Sequence, residues 1–178
     1  MKVNELISEV LDGFEREFFP SDEFVLAEYN RIVRFLWLLL PESDGSITLP
    51  VYDGKLESSL LAIQIRRVFE GEYELLRASR ELITLMPEAK LFCPSDDCIY
   101  VTANGDCTVY YRSLPSELTM IQAQSTDVPF DMRYIPLLRT WLIRSVYIYL
   151  GDFESADAYG TEYNKLLEEF KRENGVSI

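Results

Sequence analysis

Adjacent carboxylates are the side chains of this sequence whose type and spacing come nearest to catalytic chemistry. Pairs such as Asp96-Asp97 and Glu168-Glu169 could serve acid–base or metal-dependent hydrolysis. Asp96-Asp97 follows Pro94-Ser95, and short acidic residues are favoured in such turns because they bond the local backbone. Glu168-Glu169 lies near Lys171 in a helical pattern, which is typical of a solvated ion-pair face. We therefore expect no catalytic residues and a protein that is not an enzyme.

A metal site is disfavoured by the number and type of the available ligands. The three cysteines, Cys93, Cys98 and Cys107, are odd in number and form no disulfide framework. A zinc site would need a fourth ligand, and the chain has no histidine. We expect reduced thiols and no metal. A metal-dependent hydrolase is kept as a third hypothesis, behind the two that are given at the end of this section. It would have to use Asp96, Asp97 and Asp106.

Other reaction classes lack their usual residues. Without histidine the commonest general base is absent, and with it nucleophile systems of the Ser-His-Asp and Cys-His types. The eight glycines are scattered, and no GxGxxG or Walker pattern occurs. Phosphoryl transfer and dinucleotide binding are therefore disfavoured, and we expect no cofactor.

The formal net charge of −13 limits the partners of the protein. Affinity for nucleic acid comes mainly from Lys and Arg that release counterions, so a conventional nucleic-acid-binding surface is disfavoured. An acidic surface would instead let a DNA duplex move past it without binding.

The sequence also disfavours a membrane location. The chain begins without the basic flank and apolar run of a signal peptide, and its longest apolar run, Phe35–Leu40, is far shorter than the roughly 20 residues that cross a bilayer. We expect a soluble protein made in the cytoplasm, with no membrane partner.

Two helical hairpins are predicted at the ends of the chain. Apolar residues spaced three or four apart from Val3 to Phe18 predict a first helix that Pro20 ends, and a second runs from Ser21 or Asp22 to about Leu40. The C-terminal arms run from about Pro129 to Leu150 and from Asp152 to Glu173. Gly151 suits a left-handed cap, Asp152 suits an N-cap, and so short a loop makes the arms antiparallel. The predicted apolar stripe comprises Met132, Ile135, Leu138, Leu142, Val146 and Tyr149 on the first arm, and Phe153, Ala156, Gly160, Tyr163, Leu167 and Phe170 on the second.

The middle of the chain predicts strands joined by tight turns. Asp53-Gly54, Glu70-Gly71 and Asn104-Gly105 each lie between strand-like runs, and Asn-Gly favours a primed hairpin turn because both residues tolerate positive φ. Ser79–Met86 predicts a short helix that begins at Ser79. Residues 116–127 are polar and predict a long loop or arm, of a length that is usually functional or becomes ordered on binding.

These elements predict an α+β fold, a helical bundle of two N-terminal and two long C-terminal helices with an inserted small antiparallel β-sheet. We expect one domain over residues 1–178, because about 100 to 200 residues form a single core. Its parts are the N-terminal helices (1–40), the β-insertion (46–114) and the C-terminal helical hairpin (128–173).

Tyrosines and arginines are the candidate contact residues. Base stacking normally accompanies a basic groove, which is missing, so core or interface packing is favoured for the tyrosines. Arg133, Arg139 and Arg144 form a basic stripe on the first C-terminal arm. Its acidic neighbour could be the last helix of the same chain or the same surface on another subunit, in a heterologous ring contact.

Five stretches carry a family resemblance through their order and spacing. They are Arg31-Ile32-Val33-Arg34-Phe35-Leu36, Leu49-Pro50-Val51-Tyr52-Asp53-Gly54, Ser79-Arg80-Glu81-Leu82, Val109-Tyr110-Tyr111-Arg112-Ser113-Leu114-Pro115 and Tyr149-Leu150-Gly151-Asp152-Phe153-Glu154-Ser155-Ala156. Together they resemble the head-to-tail adaptor (neck) proteins of tailed bacteriophages, including the group that contains tail tubular protein A. The likeness runs from about residue 5 to residue 173.

The resemblance implies a structural virion protein with no catalytic residues. Its copies would form a ring, a dodecamer in the virion, that binds the portal at the capsid vertex and offers a platform for the tail or a second neck protein. Double-stranded DNA would pass through without specific binding. The alternative is a small acidic cytosolic interaction module or inhibitor that binds a protein partner by mimicking nucleic acid. The candidate subunit or portal interface comprises Arg66, Arg67, Tyr110, Tyr111, Arg133, Arg139, Arg144, Asp152, Glu154, Glu168 and Glu169.

Overall fold

Helices occupy both ends of the chain and strands occupy its middle. The structure, a computed structural model, describes residues 1–14, 20–42, 44–95 and 97–176. It divides into two compact units, a helical unit (Met1–Leu40 and Pro115–Ile178) and a sheet unit (Pro41–Leu114). The expectation of one domain stays a prediction. The helices are α1 (Val3–Leu11), α2 (Asp22–Leu39), α3 (Arg80–Leu85), α4 (Met120–Ala123), α5 (Ile135–Leu150) and α6 (Phe153–Glu173).

The C-terminal hairpin forms as predicted from its turn residues. Gly151 adopts φ 76°, and Asp152 Oδ1 accepts the backbone N–H of Ser155 at 3.1 Å. A short 3₁₀ turn, Met132–Tyr134, precedes α5, so the first arm begins later than expected. At the N-terminus α1 ends at Leu11 and not at Pro20, and the predicted continuation over 15–19 lies outside the described residues.

The core of the helical unit is built from the apolar faces of its helices. The predicted face of α1 is buried, and Tyr29 of α2, Leu138 and Leu142 of α5 and Phe170 of α6 join it. The predicted stripe on the hairpin is wrong at both ends of the first arm and at the start of the second, because Met132, Tyr149 and Phe153 are exposed.

The predicted arm at 116–127 is bound to the helical unit. The Asn30 side chain accepts the backbone N–H of Leu118 and donates to its carbonyl, both at 3.0 Å. Ala123 is fully buried, and the Val3 N–H donates to the Thr126 carbonyl at 3.0 Å. The prediction of a long loop or arm was wrong over Met120–Ala123, because Thr119 caps the short helix α4 there.

The sheet unit contains a mixed sheet of seven strands within the described residues. Their order is β1-β7-β3-β4-β5-β6-β2, all neighbours are antiparallel except β4 and β5, and the sheet is nearly closed and barrel-like. The predicted fold class is therefore wrong, since a small antiparallel insertion does not describe this sheet. The strands are β1 (Gly45–Leu49), β2 (Lys55–Glu57), β3 (Ile65–Glu70), β4 (Tyr73–Arg77), β5 (Leu91–Pro94), β6 (Cys98–Val101) and β7 (Cys107–Tyr111).

The three predicted turns have three different outcomes. Glu70-Gly71 joins β3 and β4 as an antiparallel hairpin, as predicted. Asp53-Gly54 forms a tight turn with φ of 50° and 69°, but β1 and β2 lie at opposite edges of the sheet. The hairpin at Asn104-Gly105 was wrong, because β6 and β7 are not neighbours and neither turn residue has positive φ. Their backbone N–H groups instead donate to the Glu70 carboxylate, at 2.8 and 3.0 Å.

Candidate interaction site

The carboxylates and cysteines considered as metal ligands do not form a common site in the described part of the chain. No group of three or more acidic residues, cysteines or histidines that could hold a metal occurs within 1–14, 20–42, 44–95 and 97–176, and Asp96 lies outside these ranges. Cys93 and Cys98 are half-buried free thiols, and burial raises the pKa of the Cys107 thiol to about 11. Among the helices that the structure describes, none has the length and apolarity that a membrane span requires.

The predicted interface residues of the sheet unit contact their own unit. The Arg67 guanidinium makes two hydrogen bonds of 2.8 Å to the Glu74 carboxylate, and the Arg66 Nη1 donates to the Ile63 carbonyl at 2.9 Å. The ring of Tyr110 lies 5.5 Å from that of Phe69. Tyr111 lies over Gly45, where a Cβ would come within 2.6 Å of its ring.

Most predicted charges of the C-terminal hairpin also have partners within the helical unit. Arg139 pairs with Glu9 of α1, and Arg133 lies 3.5 Å from the Glu173 carboxylate of α6. Glu168 pairs with Lys171 at 2.8 Å in its own helix, and the Asp152 carboxylate caps α6. For Arg133 and Arg139 the partner is thus a residue of the same chain. Glu154 is exposed and Glu169 is half-buried, and neither forms an ion pair with a described residue.

Arg144 differs from the other two arginines of the stripe, since it makes no ion pair in the described part of the chain. It borders a groove of about 380 Å³ between α2 and α5. We call this the basic groove. Phe24, Glu28 and Arg31 of α2 line one side of it, and Trp141, Arg144 and Tyr149 of α5 line the other.

Two cations flank one indole ring in the basic groove. The guanidinium carbons of Arg31 and Arg144 lie 6.0 and 5.7 Å from the centre of the Trp141 ring, which favours cation–π attraction. The Glu28 carboxylate lies 3.6 Å from Arg31 and accepts the Ser145 hydroxyl at 3.2 Å. With two cations and one anion, the groove carries positive charge in a strongly acidic protein.

Two donors at this site have no hydrogen-bond partner among the described residues. They are the indole Nε1 of Trp141 and the guanidinium Nε of Arg144, both of which are inaccessible to solvent. A buried donor without an acceptor loses free energy, about 1 to 3 kcal/mol for a typical group. These two atoms cannot be reached from the groove, but the Arg144 guanidinium makes no ion pair with a described residue, so the positively charged groove favours an acceptor such as a carboxylate.

Gly160 of α6 leaves room for the Arg144 side chain. A Cβ at this position would lie 3.0 Å from Arg144 Nε. Glycine inside a helix is less favourable than alanine by about 1 kcal/mol. The close approach of the Arg144 side chain to the α6 backbone explains why glycine occurs in the middle of this helix. The neighbouring Tyr163 ring lies 5.0 Å from Trp141, and burial raises the pKa of the Tyr163 hydroxyl to about 12.

Apolar side chains surround the turn between α5 and α6. Ile148, Tyr149, Leu150 and Phe153 are all exposed, Tyr149 by 56% and Phe153 by 67%. We call these four residues the hairpin tip. Ile148 and Tyr149 also line the basic groove, so the tip and the groove form one surface.

Sequence reasoning missed this surface by assigning Tyr149 and Phe153 to the core. The run Tyr147-Ile148-Tyr149-Leu150 was the available signal. Four consecutive large apolar residues point to every side of a helix, so some must be exposed. Arg144 was among the predicted interface residues and Trp141 and Arg31 were not, and its role in an interface stays a prediction.

Comparison with known proteins assigns no family. No protein-family model matches the chain, and no curated protein matches it.

Proposed function

We propose that the protein is a structural component of the neck of a tailed bacteriophage. Copies of the chain form a ring that connects the portal at the capsid vertex to the tail and surrounds the DNA exit channel. The ring is a dodecamer in the virion, as the sequence resemblance implies, and the protein has no catalytic role.

The hairpin tip is the observation that carries this proposal. Contiguous apolar side chains that are exposed on a protein surface favour association with another protein. Three of its four residues, Tyr149, Leu150 and Phe153, lie within Tyr149–Ala156, one of the five stretches on which the sequence resemblance rests. An adaptor between two assemblies requires a surface for protein contact, and the tight turn at Gly151-Asp152 displays one.

The negative charge also fits a DNA channel. A net charge of −13 disfavours counterion-release binding to the duplex, so DNA would pass the ring without being held.

Mixing the purified protein with candidate portal tests the proposal. Negative-stain images and native mass measurement are expected to show one added ring on the portal. The tip variant Leu150→Ser/Phe153→Ser, which leaves the basic groove unchanged, is expected to lose this binding while it still folds. Its control is Ile121→Ser, which alters an apolar side chain of α4 that is 81% exposed and lies outside the tip.

Two results would overturn the proposal. One is no added density on the portal at any protein concentration. The other is a pull-down from infected cells that recovers a nuclease or polymerase and no portal, which would favour the acidic inhibitor.

A further inference from the structure

The side chains that line the basic groove indicate which chemical groups a partner must present to it. Its aromatic walls at Phe24, Trp141 and Tyr149 favour apolar side chains, and the guanidinium groups of Arg31 and Arg144 favour carboxylate oxygens. A segment that offers large apolar side chains with carboxylates beside them would meet both preferences at once.

The segment of residues 80–88 in the sheet unit, which comprises helix α3 and the three residues that follow it, offers this combination. It has no buried residue, and Leu82, Leu85 and Met86 are exposed, Leu85 by 77%. Glu81 and Glu88 are also exposed, and neither forms an ion pair with a residue that the structure describes. Apolar side chains on a short exposed helix are unfavourable in water and are expected to be covered in an assembly.

The segment is held in this position by its own unit. The Ser79 hydroxyl accepts the backbone N–H of Leu82 at 3.3 Å and begins the helix. The Arg80 guanidinium lies 4.4 Å from the centre of the Tyr100 ring on β6. Ile83 is half-buried, and α3 lies against β5 and β6. The apolar residues are thus displayed by a preformed helix, which lowers the entropy lost on binding.

We propose that the basic groove of one copy binds α3 of a second copy. Leu85 and Met86 enter between the aromatic walls, and Glu81 and Glu88 approach Arg31 and Arg144. This contact joins two different surfaces of identical chains, so it is heterologous and can propagate into a ring. The proposal rests on the proposed function, because it names the subunit contact of that ring.

A second segment of the chain has similar chemistry but fits less well. Asp152-Phe153-Glu154 places an exposed phenylalanine between two acidic residues. It adjoins the groove through the hairpin tip, so exchange between two copies would give a closed dimer and not a ring. The Asp152 carboxylate is also engaged by the Ser155 N–H. Binding of α3 leaves Leu150 and Phe153 of the hairpin tip, which do not line the groove, available to the portal or the tail.

Charge reversal and its rescue test the contact. Arg31→Glu/Arg144→Glu alters the groove, and Glu81→Lys/Glu88→Lys alters α3. Each double variant is expected to raise the concentration for half-maximal ring formation on the portal about tenfold or more, and the fourfold variant is expected to restore it to within about threefold. Controls are Arg172→Glu and Glu72→Lys, which reverse exposed charges without an ion pair to a described residue. Circular dichroism checks that every variant folds.

An apolar substitution covers the case in which the groove variant fails to fold. Leu85→Ser changes a side chain that makes no buried contact, and it is expected to weaken ring formation as the charge variants do. A mixture of groove variant and α3 variant is expected to restore ring formation, because the groove of each variant is complementary in charge to α3 of the other, whereas each variant alone repels its own copies.

The outcomes separate this proposal from the proposed function. If the portal acquires a ring and all variants match the wild type, or if the fourfold variant is not rescued, the contact is overturned and the function stands. Protection of the groove from chemical modification by portal alone, without self-association, also overturns the contact. If no portal acquires a ring but the chain self-associates with the rescue pattern, the contact stands and the neck function falls.

Discussion

In the helical unit, large apolar side chains such as Leu6, Tyr29 and Phe170 are fully buried against one another. In the sheet unit, a few charged groups join segments that are distant in sequence. The Glu70 carboxylate binds the backbone of Asn104 and Gly105 and pairs with Lys90. Apolar packing does not depend on pH, but charge-assisted hydrogen bonds do. The two units should therefore respond differently to the same perturbations.

The largest expected effect is the loss of a core ring in the helical unit. Phe170→Ala removes contacts with the rings of Tyr134 at 4.9 Å and Phe130 at 6.2 Å. We expect the free energy of unfolding to fall by about 3 to 5 kcal/mol. Both tryptophans of the chain, Trp37 and Trp141, lie in this unit, so their fluorescence during urea unfolding reports it. A fall of less than about 1 kcal/mol would contradict tight packing at this site.

A smaller effect is expected from removing the charge that organises the sheet unit. Glu70→Gln keeps the shape of the side chain but weakens its bonds to two backbone N–H groups and to Lys90. The free energy of opening of the sheet unit should fall by about 1 to 3 kcal/mol. Hydrogen exchange of the Asn104 and Gly105 amides measures it. Glu72→Gln, an exposed residue in the adjacent turn, is the control and should change little.

The dependence on pH follows from the same carboxylate. The hydrogen bond from Lys90 and those from the Asn104 and Gly105 N–H groups lower the pKa of Glu70 from 4.5 to about 2. A lowered pKa in the folded state means that the stabilisation is complete above 4.5 and is lost as the pH falls toward 2. The sheet unit should therefore weaken over this range. Glu70→Gln should flatten that slope, and an unchanged slope in hydrogen exchange would exclude Glu70 as its source.

The smallest effect on stability is expected at Gly160. Gly160→Ala gains helix propensity of about 1 kcal/mol, but its Cβ displaces Arg144, so the net change should be small. The displacement should alter the emission of Trp141, observed alone in a Trp37→Phe background. Ala158→Gly, an exposed position of the same helix, controls for helix propensity. Unchanged emission would mean that Gly160 does not position Arg144.

Local signals account for the parts of the fold that were predicted. Gly151 and Asp152 define the α5–α6 turn, and Glu70-Gly71 defines the β3–β4 hairpin, because each turn joins elements that pair with their neighbours in sequence. The same logic failed at Asn104-Gly105, where a carboxylate 34 residues earlier in the chain binds the turn. Strand pairs such as β1–β7 and β2–β6 join distant segments, and no turn dipeptide encodes them.

At the candidate site too, some features follow from the local sequence and others only from tertiary contacts. Arg144 was recognisable as part of a basic stripe, but its neighbours Arg139 and Arg133 contact Glu9 and Glu173. Which cation remains available depends on which acidic residues the packed helices bring within reach. The sequence alone determined the helical hairpin, its caps and the acidic charge, since these depend on residues close together in the chain. Tertiary structure alone decided the sheet order, the exposed hairpin tip and the basic groove, because each depends on contacts between segments far apart in sequence.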